Sequence, residues 1–133
     1  MKTIYKIIIL SGLLLSVMFF GSCSKSENES LAKLEGKWKF INTANINDST
    51  YVEDWEFTAE GKLLIYHKVN LRDPLVTYEG TYSMDSRKMF TVDGFAKFPL
   101  YNTKWEIISN EDNALMIVSS AGGGLFYREF VKI

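Results

Sequence analysis

The stretch LVTYEGTYSM, Leu75 to Met84, alternates apolar and polar side chains more regularly than any other part of the chain. Successive side chains of a β-strand point to opposite faces of the sheet, so this alternation is typical of a strand with one buried face. The predicted inner face carries Val76, Tyr78, Gly80, Tyr82 and Met84. The predicted outer face carries Thr77, Glu79, Thr81 and Ser83. The stretch therefore predicts an amphipathic strand that covers a core on one side only.

Shorter segments of the same kind lie on both sides of this strand, and turn residues separate them. Upstream, the segments VEDWEF and LLIYH enclose AEGK, in which Gly61 suits the left-handed position of a hairpin loop. Downstream, apolar segments alternate with the turn signals DSR, DG, NEDN and AGGG. About eight short strands joined mainly by hairpin-length loops predict an all-β fold. Connections between neighbours favour a small eight-stranded antiparallel up-and-down barrel over a Greek-key sandwich.

The N-terminal segment has a different composition from the rest of the chain. Lys2 and Lys6 precede the apolar run IIILSGLLLSVMFFGS, which ends at small residues. A basic head, an apolar middle and a small-residue cut site are typical of a secretory signal, so residues 1–22 are interpreted as a signal peptide. The alternative is a transmembrane anchor, which the interruptions at Ser11, Gly12 and Ser16 disfavour.

The only cysteine, Cys23, follows this segment directly. The stretch Phe20-Gly21-Ser22-Cys23 resembles the lipobox of bacterial lipoproteins, although Phe20 stands where leucine is usual. The resemblance implies cleavage before Cys23, a diacylglyceryl group on its thiol and fatty acyl groups such as palmitate on the new amine. Residues 23–33, with the polar stretch SKSENES, then form a flexible tether. We expect an outer-membrane lipoprotein of the bacterial cell envelope. Both the periplasmic face and the cell-surface face of that membrane agree with the sequence.

The composition of the remaining chain excludes several classes of function. Without Lys2 and Lys6, 13 basic residues stand against 16 acidic ones, a net charge of about −3. This balance disfavours nucleic-acid binding, which needs cations to neutralise phosphates. Residues 34–133 have the length of one small domain, and hydrophobic burial rather than a disulfide must stabilise it.

The start of the first predicted strand adds a family resemblance. Gly36-Lys37-Trp38 resembles the Gly-x-Trp signature of lipocalins and of lipocalin-like domains in bacterial lipoproteins. The resemblance implies a lipocalin-like barrel over residues 34–133. It also implies that a basic residue near the last strand packs on the tryptophan, and Arg128 matches that position. We therefore expect the first and last strands to pair and Arg128 to contact Trp38. If Arg128 reaches Trp38, Phe126 and Phe130 must point inward with it. The opposite face of this strand, with Leu125, Tyr127 and Val131, is equally apolar, so the pattern alone leaves the inward face open.

No residue pattern in the chain supports catalysis. His67 is the only histidine, and the predicted domain has no cysteine, so a zinc site lacks its usual ligands. Asp54 and Glu56 flank Trp55 and are interpreted as the solvent-exposed face of a strand. AGGG lacks the residues of a phosphate loop, and NEDN lacks the spacing of a calcium loop. We expect a protein that is not an enzyme and has neither cofactor nor metal.

Aromatic residues are the abundant side chains of the predicted domain. Of 19 aromatic residues in the chain, 16 lie beyond residue 22. One interpretation is a pocket for a small hydrophobic ligand, lined by Tyr66, Tyr78, Tyr82, Tyr101 and Trp105. The alternative is a filled barrel that acts as a structural or accessory protein and binds a protein partner through its edge or loops. Both interpretations predict inward aromatic rings, so the sequence leaves both open.

Overall fold

The computed structural model describes residues 33–41 and 51–133. They form eight antiparallel strands that follow one another around a closed barrel. The strands are β1 (Gly36–Phe40), β2 (Val52–Phe57), β3 (Lys62–Lys68), β4 (Val76–Ser86), β5 (Met89–Asp93), β6 (Lys104–Glu111), β7 (Ala114–Ser119) and β8 (Phe126–Lys132). Short 3-10 turns cover Pro99–Tyr101 and Ala121–Gly123. The structure therefore confirms the eight-stranded antiparallel up-and-down barrel that the strand and turn pattern predicts. This barrel fits the lipocalin-like fold that the Gly-x-Trp resemblance implies.

Closure occurs between the first and last strands, as expected. Trp38 pairs with Lys132 and Phe40 with Phe130 in an antiparallel ladder. A closed barrel leaves no edge with unpaired backbone groups. Segment 34–133 therefore supplies all the pairing partners of its own eight strands.

The alternation of β4 matches the prediction, with one exception at the strand end. Tyr82 and Gly80 are buried, Tyr78 and Met84 are half-buried, and the four predicted outer residues are exposed. Val76 is exposed because it begins the strand beyond the core. Gly80 allows a close approach, since a Cβ built there would lie 2.4 Å from the ring of Phe95.

The two ends of the barrel have connections of different length. The short-hairpin end contains the turns 58–61, 87–88 and 112–113. Asp112 and Asn113 both have positive φ, which suits a two-residue hairpin turn, so NEDN is a turn as predicted. The long-loop end contains the connections 69–75, 94–103 and 120–125. Residues 42–50 join β1 to β2 and lie outside the described residues.

Large side chains fill the interior of the barrel. The largest fully buried ones include Trp38, Trp55, Trp105, Phe57, Phe90 and Phe130. At the short-hairpin end the Trp38 indole Nε1 donates to the Leu34 carbonyl oxygen at 2.8 Å, and the Tyr82 hydroxyl donates to the Thr58 carbonyl oxygen at 2.8 Å. Burial of these rings supplies the apolar core that a domain without disulfides needs.

The cation over Trp38 is Lys132 rather than the expected Arg128. The Lys132 Nζ lies 5.2 Å from the Trp38 ring centroid, and these two residues are directly paired between β1 and β8. Arg128 lies four residues earlier in β8, towards the long-loop end. Its guanidinium cannot occupy the position that the register gives to Lys132. Phe126 and Phe130 do share the inner face with Arg128, as an inward arginine requires.

The predicted signal peptide, Cys23 and most of the tether lie outside the described residues. Among the residues that the structure describes, no helix has the length and apolar character needed to cross a membrane.

Candidate functional site

A buried carboxylate lies inside the barrel near its long-loop end. In β2 the inward residues are Glu53, Trp55 and Phe57, because alternate side chains of the strand share a face. Glu53 is only 2% exposed. A buried carboxylate needs hydrogen bonds or a counter-charge, so its neighbours determine what this position can do.

Three hydrogen-bond donors surround the Glu53 carboxylate. The Trp55 indole Nε1 donates to Glu53 Oε1 at 3.0 Å, and the Tyr101 hydroxyl donates to the same oxygen at 2.9 Å. The Tyr51 hydroxyl donates to Glu53 Oε2. Tyr51 directly precedes β2, and Tyr101 ends the 3-10 turn of the 94–103 connection. The carboxylate therefore links β2 to a loop of the rim.

Arg128 supplies the positive charge beside this carboxylate. Its Nη2 lies 3.6 Å from Glu53 Oε1 and donates to the Tyr101 hydroxyl at 2.5 Å. Its guanidinium also lies 4.4 Å from the ring centroid of Phe40 and 4.6 Å from that of Phe126. Cation–π contacts of this kind strengthen when water is excluded. We call Tyr51, Glu53, Trp55, Tyr101 and Arg128 the Glu53 cluster.

The electrostatics of the cluster keep its tyrosines protonated. Burial is the main cause that raises the pKa of Tyr101 well above its ordinary value, and the Glu53 charge adds to the increase. Burial and the hydrogen bond to Glu53 raise the pKa of Tyr51 in the same direction. Both hydroxyls therefore stay neutral donors at ordinary pH, and Glu53 with Arg128 gives a net charge of zero.

Half-buried rings stand around this cluster at the long-loop end. We call them the rim rings, and they are Phe40, His67, Tyr78, Phe98 and Phe126. Phe98 stacks on Tyr101 with ring centroids 5.1 Å apart, and it meets Tyr78 and His67 edge-on at 5.1 Å each. His67, Tyr78 and Phe98 pack against one another. The other two rim rings flank Arg128, and each of the five keeps part of its surface exposed.

Two buried polar atoms at this end have no hydrogen-bond partner among the described residues. They are the Ser119 hydroxyl oxygen and Arg128 Nε. Ser119 is 4% exposed and shares the inner face of β7 with Leu115 and Ile117. It pairs with Phe126 while Ile117 pairs with Arg128, so Ser119 and Arg128 are diagonal neighbours across the β7–β8 ladder. Diagonal neighbours about 7–8 Å apart are within reach of a long side chain.

The structure brings together three of the five residues predicted to bind a ligand. Tyr78, Tyr101 and Trp105 lie at or beneath the rim, where Trp105 meets Tyr101 and Phe126. Tyr82 is buried at the short-hairpin end.

Tyr66 lies on the outer wall of the barrel. Its hydroxyl donates to Glu56 Oε2 at 2.6 Å, which raises the pKa of Tyr66, and the Lys37 Nζ lies 4.2 Å from its ring centroid. The neighbouring Ile65 points inward, so the period-two alternation of β3 directs Tyr66 away from the interior.

Sequence reasoning missed Glu53, Ser119 and the inward position of His67. The sequence does contain a signal for Glu53, because period-two alternation places it on the same strand face as the apolar rings of Trp55 and Phe57. A carboxylate on the apolar face of a strand indicates a buried partner. Ser119 carries no comparable signal, since a serine at a strand end is common in turns.

Within residues 33–41 and 51–133, no three side chains of the His, Cys, Asp and Glu types are grouped closely enough to hold a metal ion. No protein-family model and no curated protein matches the chain.

Proposed function

We propose that this barrel binds a small, mostly apolar molecule at its long-loop end. The observation that carries the proposal is the set of half-buried rim rings, which lie above the buried Glu53 cluster. Rings at the opposite end, such as Trp38 and Phe57, are almost fully buried. Accessible apolar area that surrounds a few polar groups is typical of small-molecule sites.

The ligand is expected to lie close to the rim rather than deep in the barrel. Trp55, Trp105 and Phe130 are fully buried beneath the rim rings and occupy the interior. The Trp55 ring lies 5.7 Å from Trp105 and 5.2 Å from Phe130, centroid to centroid. A flat or ring-shaped molecule that stacks on Phe98 and Phe126 fits this arrangement better than a long chain.

A binding role is favoured over catalysis by the state of the side chains that could react. The Glu53 carboxylate is already held by three donors and by Arg128. His67 packs edge-on against Tyr51 and Phe98. General acid–base catalysis needs a group within reach of the substrate proton, and these groups are engaged by the protein itself.

The test uses segment 34–133 and a neutral aromatic probe, 2-isopropenylnaphthalene. We expect calorimetric binding that Phe98→Ala weakens and Tyr127→Ala does not, because Tyr127 is an exposed ring on the outer wall of β8. Native mass spectrometry of the protein purified from its own organism should show a retained small molecule. Absence of probe binding together with absence of a retained molecule would overturn the proposal.

The second candidate function is binding of a protein partner by the same end. Its specific observation is a set of exposed apolar side chains from three loops: Val69, Leu71, Leu75, Leu100 and Leu125. We call these the loop-tip side chains. Exposed apolar groups concentrated at one end are typical of interaction sites. Crosslinking in cells should then depend on Leu71 and Leu125 but not on Ile108, an exposed residue of the outer wall.

The proposal includes a lipid anchor at Cys23 and an outer-membrane location. The lipobox-like stretch Phe20–Cys23 supports it, and stable anchoring follows when two or more acyl chains are attached. Cells labelled with a fatty-acid analogue should lose the label from this protein in Cys23→Ala. Label that persists on the alanine variant would contradict the anchor.

A further inference from the structure

We infer that the ligand of the long-loop end presents an uncharged hydrogen-bond acceptor, such as a ketone, ester or amide carbonyl, to Arg128 Nε and the Ser119 hydroxyl. This inference rests on the proposed binding function and adds the chemical class of the ligand.

The first support is the pair of unpartnered donors. Arg128 Nε and Ser119 Oγ are buried, and neither has a hydrogen-bond partner among the described residues. Buried polar groups in native proteins nearly always have partners, and leaving one without a partner costs free energy. A carbonyl oxygen has two lone pairs and accepts hydrogen bonds from both donors at once.

The second support is the position of these donors beneath the rim rings. Arg128 lies between the rings of Phe40 and Phe126, and Ser119 is paired with Phe126 on the neighbouring strand. A ring that stacks at the rim would direct a carbonyl substituent down towards them. The same end therefore offers an apolar surface and a polar contact, the combination that orients a ligand.

The third support is the charge of the cluster, which selects the protonation state of the ligand. Glu53 already balances Arg128 at 3.6 Å. A ligand carboxylate would add a second negative charge beside buried Glu53, and a buried charge without its own counter-ion is unfavourable. An uncharged acceptor uses Arg128 Nε without disturbing that balance.

The experiment compares three probes that share one naphthalene ring. These are 2-acetylnaphthalene, 2-isopropenylnaphthalene and 2-naphthoate, which carry a neutral carbonyl, an isosteric alkene and an anion. We expect segment 34–133 to bind 2-acetylnaphthalene about threefold to tenfold more tightly than the alkene, as one or two added hydrogen bonds imply. 2-Naphthoate should bind more weakly than the ketone. The ketone should also shift the Arg128 Nε–H signal in ¹H–¹⁵N NMR spectra.

Two variants separate the contributions of the two donors. Ser119→Ala removes a hydroxyl that bonds to no described residue, so the fold should persist while the preference for the ketone falls. Arg128→Lys keeps the positive charge and removes Nε–H, with the same expected loss of preference. Ser83→Ala, an exposed change on the outer face of β4, is the matched control and should leave the preference intact.

The outcomes distinguish this inference from the function on which it rests. Equal binding of ketone and alkene at the rim rings would leave the proposed function standing and overturn the carbonyl inference. Tighter binding of 2-naphthoate, or a preference for the ketone that Ser119→Ala leaves unchanged, would also overturn it. Failure of all three probes to bind would count against the proposed function itself.

Discussion

The two ends of this barrel are built from the same strands but by different chemistry. At the short-hairpin end, Trp38 and Tyr82 are buried and each donates to a backbone carbonyl oxygen. The long-loop end instead contains the ion pair between Arg128 and Glu53 and the half-buried rim rings. Two buried polar atoms there, Ser119 Oγ and Arg128 Nε, have no hydrogen-bond partner among the described residues. The short-hairpin end is therefore closed by hydrogen bonds to the backbone, whereas the long-loop end, where we propose that a ligand binds, keeps partly exposed rings and unpartnered polar atoms.

The largest expected effect comes from removing the buried charge of the long-loop end. Glu53→Ala would leave Arg128 without its counter-ion and three donors without their acceptor, at a cost of about 3–5 kcal/mol in unfolding free energy. Urea unfolding of segment 34–133 measures this loss. The control is Glu56→Ala on the outward face of the same strand. Glu56 accepts a hydrogen bond from Tyr66, and we expect the variant to lose about 1 kcal/mol or less of unfolding free energy. Equal losses at the two positions would contradict the contrast between the faces.

Alkaline pH should destabilise the short-hairpin end through Tyr82. Burial, followed by the charges of Glu35 and Glu60, raises the pKa of Tyr82 to about 12. The unfolded chain loses this proton near pH 10 while the folded chain keeps it, so stability falls as the pH rises. Between pH 10 and pH 12 this one residue should account for about 2 kcal/mol.

Urea unfolding across this pH range tests the contribution of Tyr82. Tyr82→Phe should show a shallower decrease in stability than the wild type, although Tyr51 and Tyr101 act in the same direction. If the unfolding free energies of Tyr82→Phe and of the wild type decrease equally with pH, Tyr82 does not cause the decrease.

Trp38→Phe should lower stability without changing binding. The variant leaves the buried Leu34 carbonyl oxygen without its donor and a small gap beside it, which together cost about 1–3 kcal/mol. The affinity for 2-isopropenylnaphthalene should stay that of the wild type, because Trp38 lies at the opposite end from the rim rings. A parallel loss of affinity would show that the two ends are coupled.

The smallest effect on stability is expected at the loop-tip side chains. Leu71 and Leu125 are 68% and 69% exposed, so Leu71→Ser combined with Leu125→Ser should change the unfolding free energy by about 0.5 kcal/mol or less. Ile108→Ser on the outer wall is the control, and it should change the unfolding free energy by a similarly small amount. A large loss from the loop-tip pair alone would assign those residues to the core instead of to an interaction surface.

The fold was predictable because its signal is repeated along the chain. Alternation in β4, the turn residues between strands and the absence of long helical periodicity all favour the same all-β barrel. The inward face of β8 was not predictable in this way, because both of its faces are apolar and the expected contact between Arg128 and Trp38, which would have decided between them, does not form.

The candidate site was less predictable because it depends on register and on loops. The pairing of Trp38 with Lys132 is a matter of register between the two terminal strands, and no local pattern fixes it. Tyr101 reaches Glu53 across 48 residues of sequence, from a 3-10 turn whose position is set by tertiary contacts. Tyr66 and Tyr82 were predicted to bind a ligand because they are aromatic. The alternation of β3, which directs Ile65 inward, places Tyr66 on the outer face.

The contact between Gly80 and Phe95 has a consequence for protein engineering. The Asn102 side chain holds Phe95 from the other end of the loop, since its Oδ1 accepts from the Phe95 backbone N–H and its Nδ2 donates to the Phe95 carbonyl, both at 2.9 Å. Phe95, which packs on Gly80 and is hydrogen-bonded to Asn102, fixes the base of this loop through contacts that involve neither Phe98 nor Leu100. The loop is thus a natural cassette for library design: randomising Phe98 and Leu100 should diversify the rim while the barrel beneath keeps its fold.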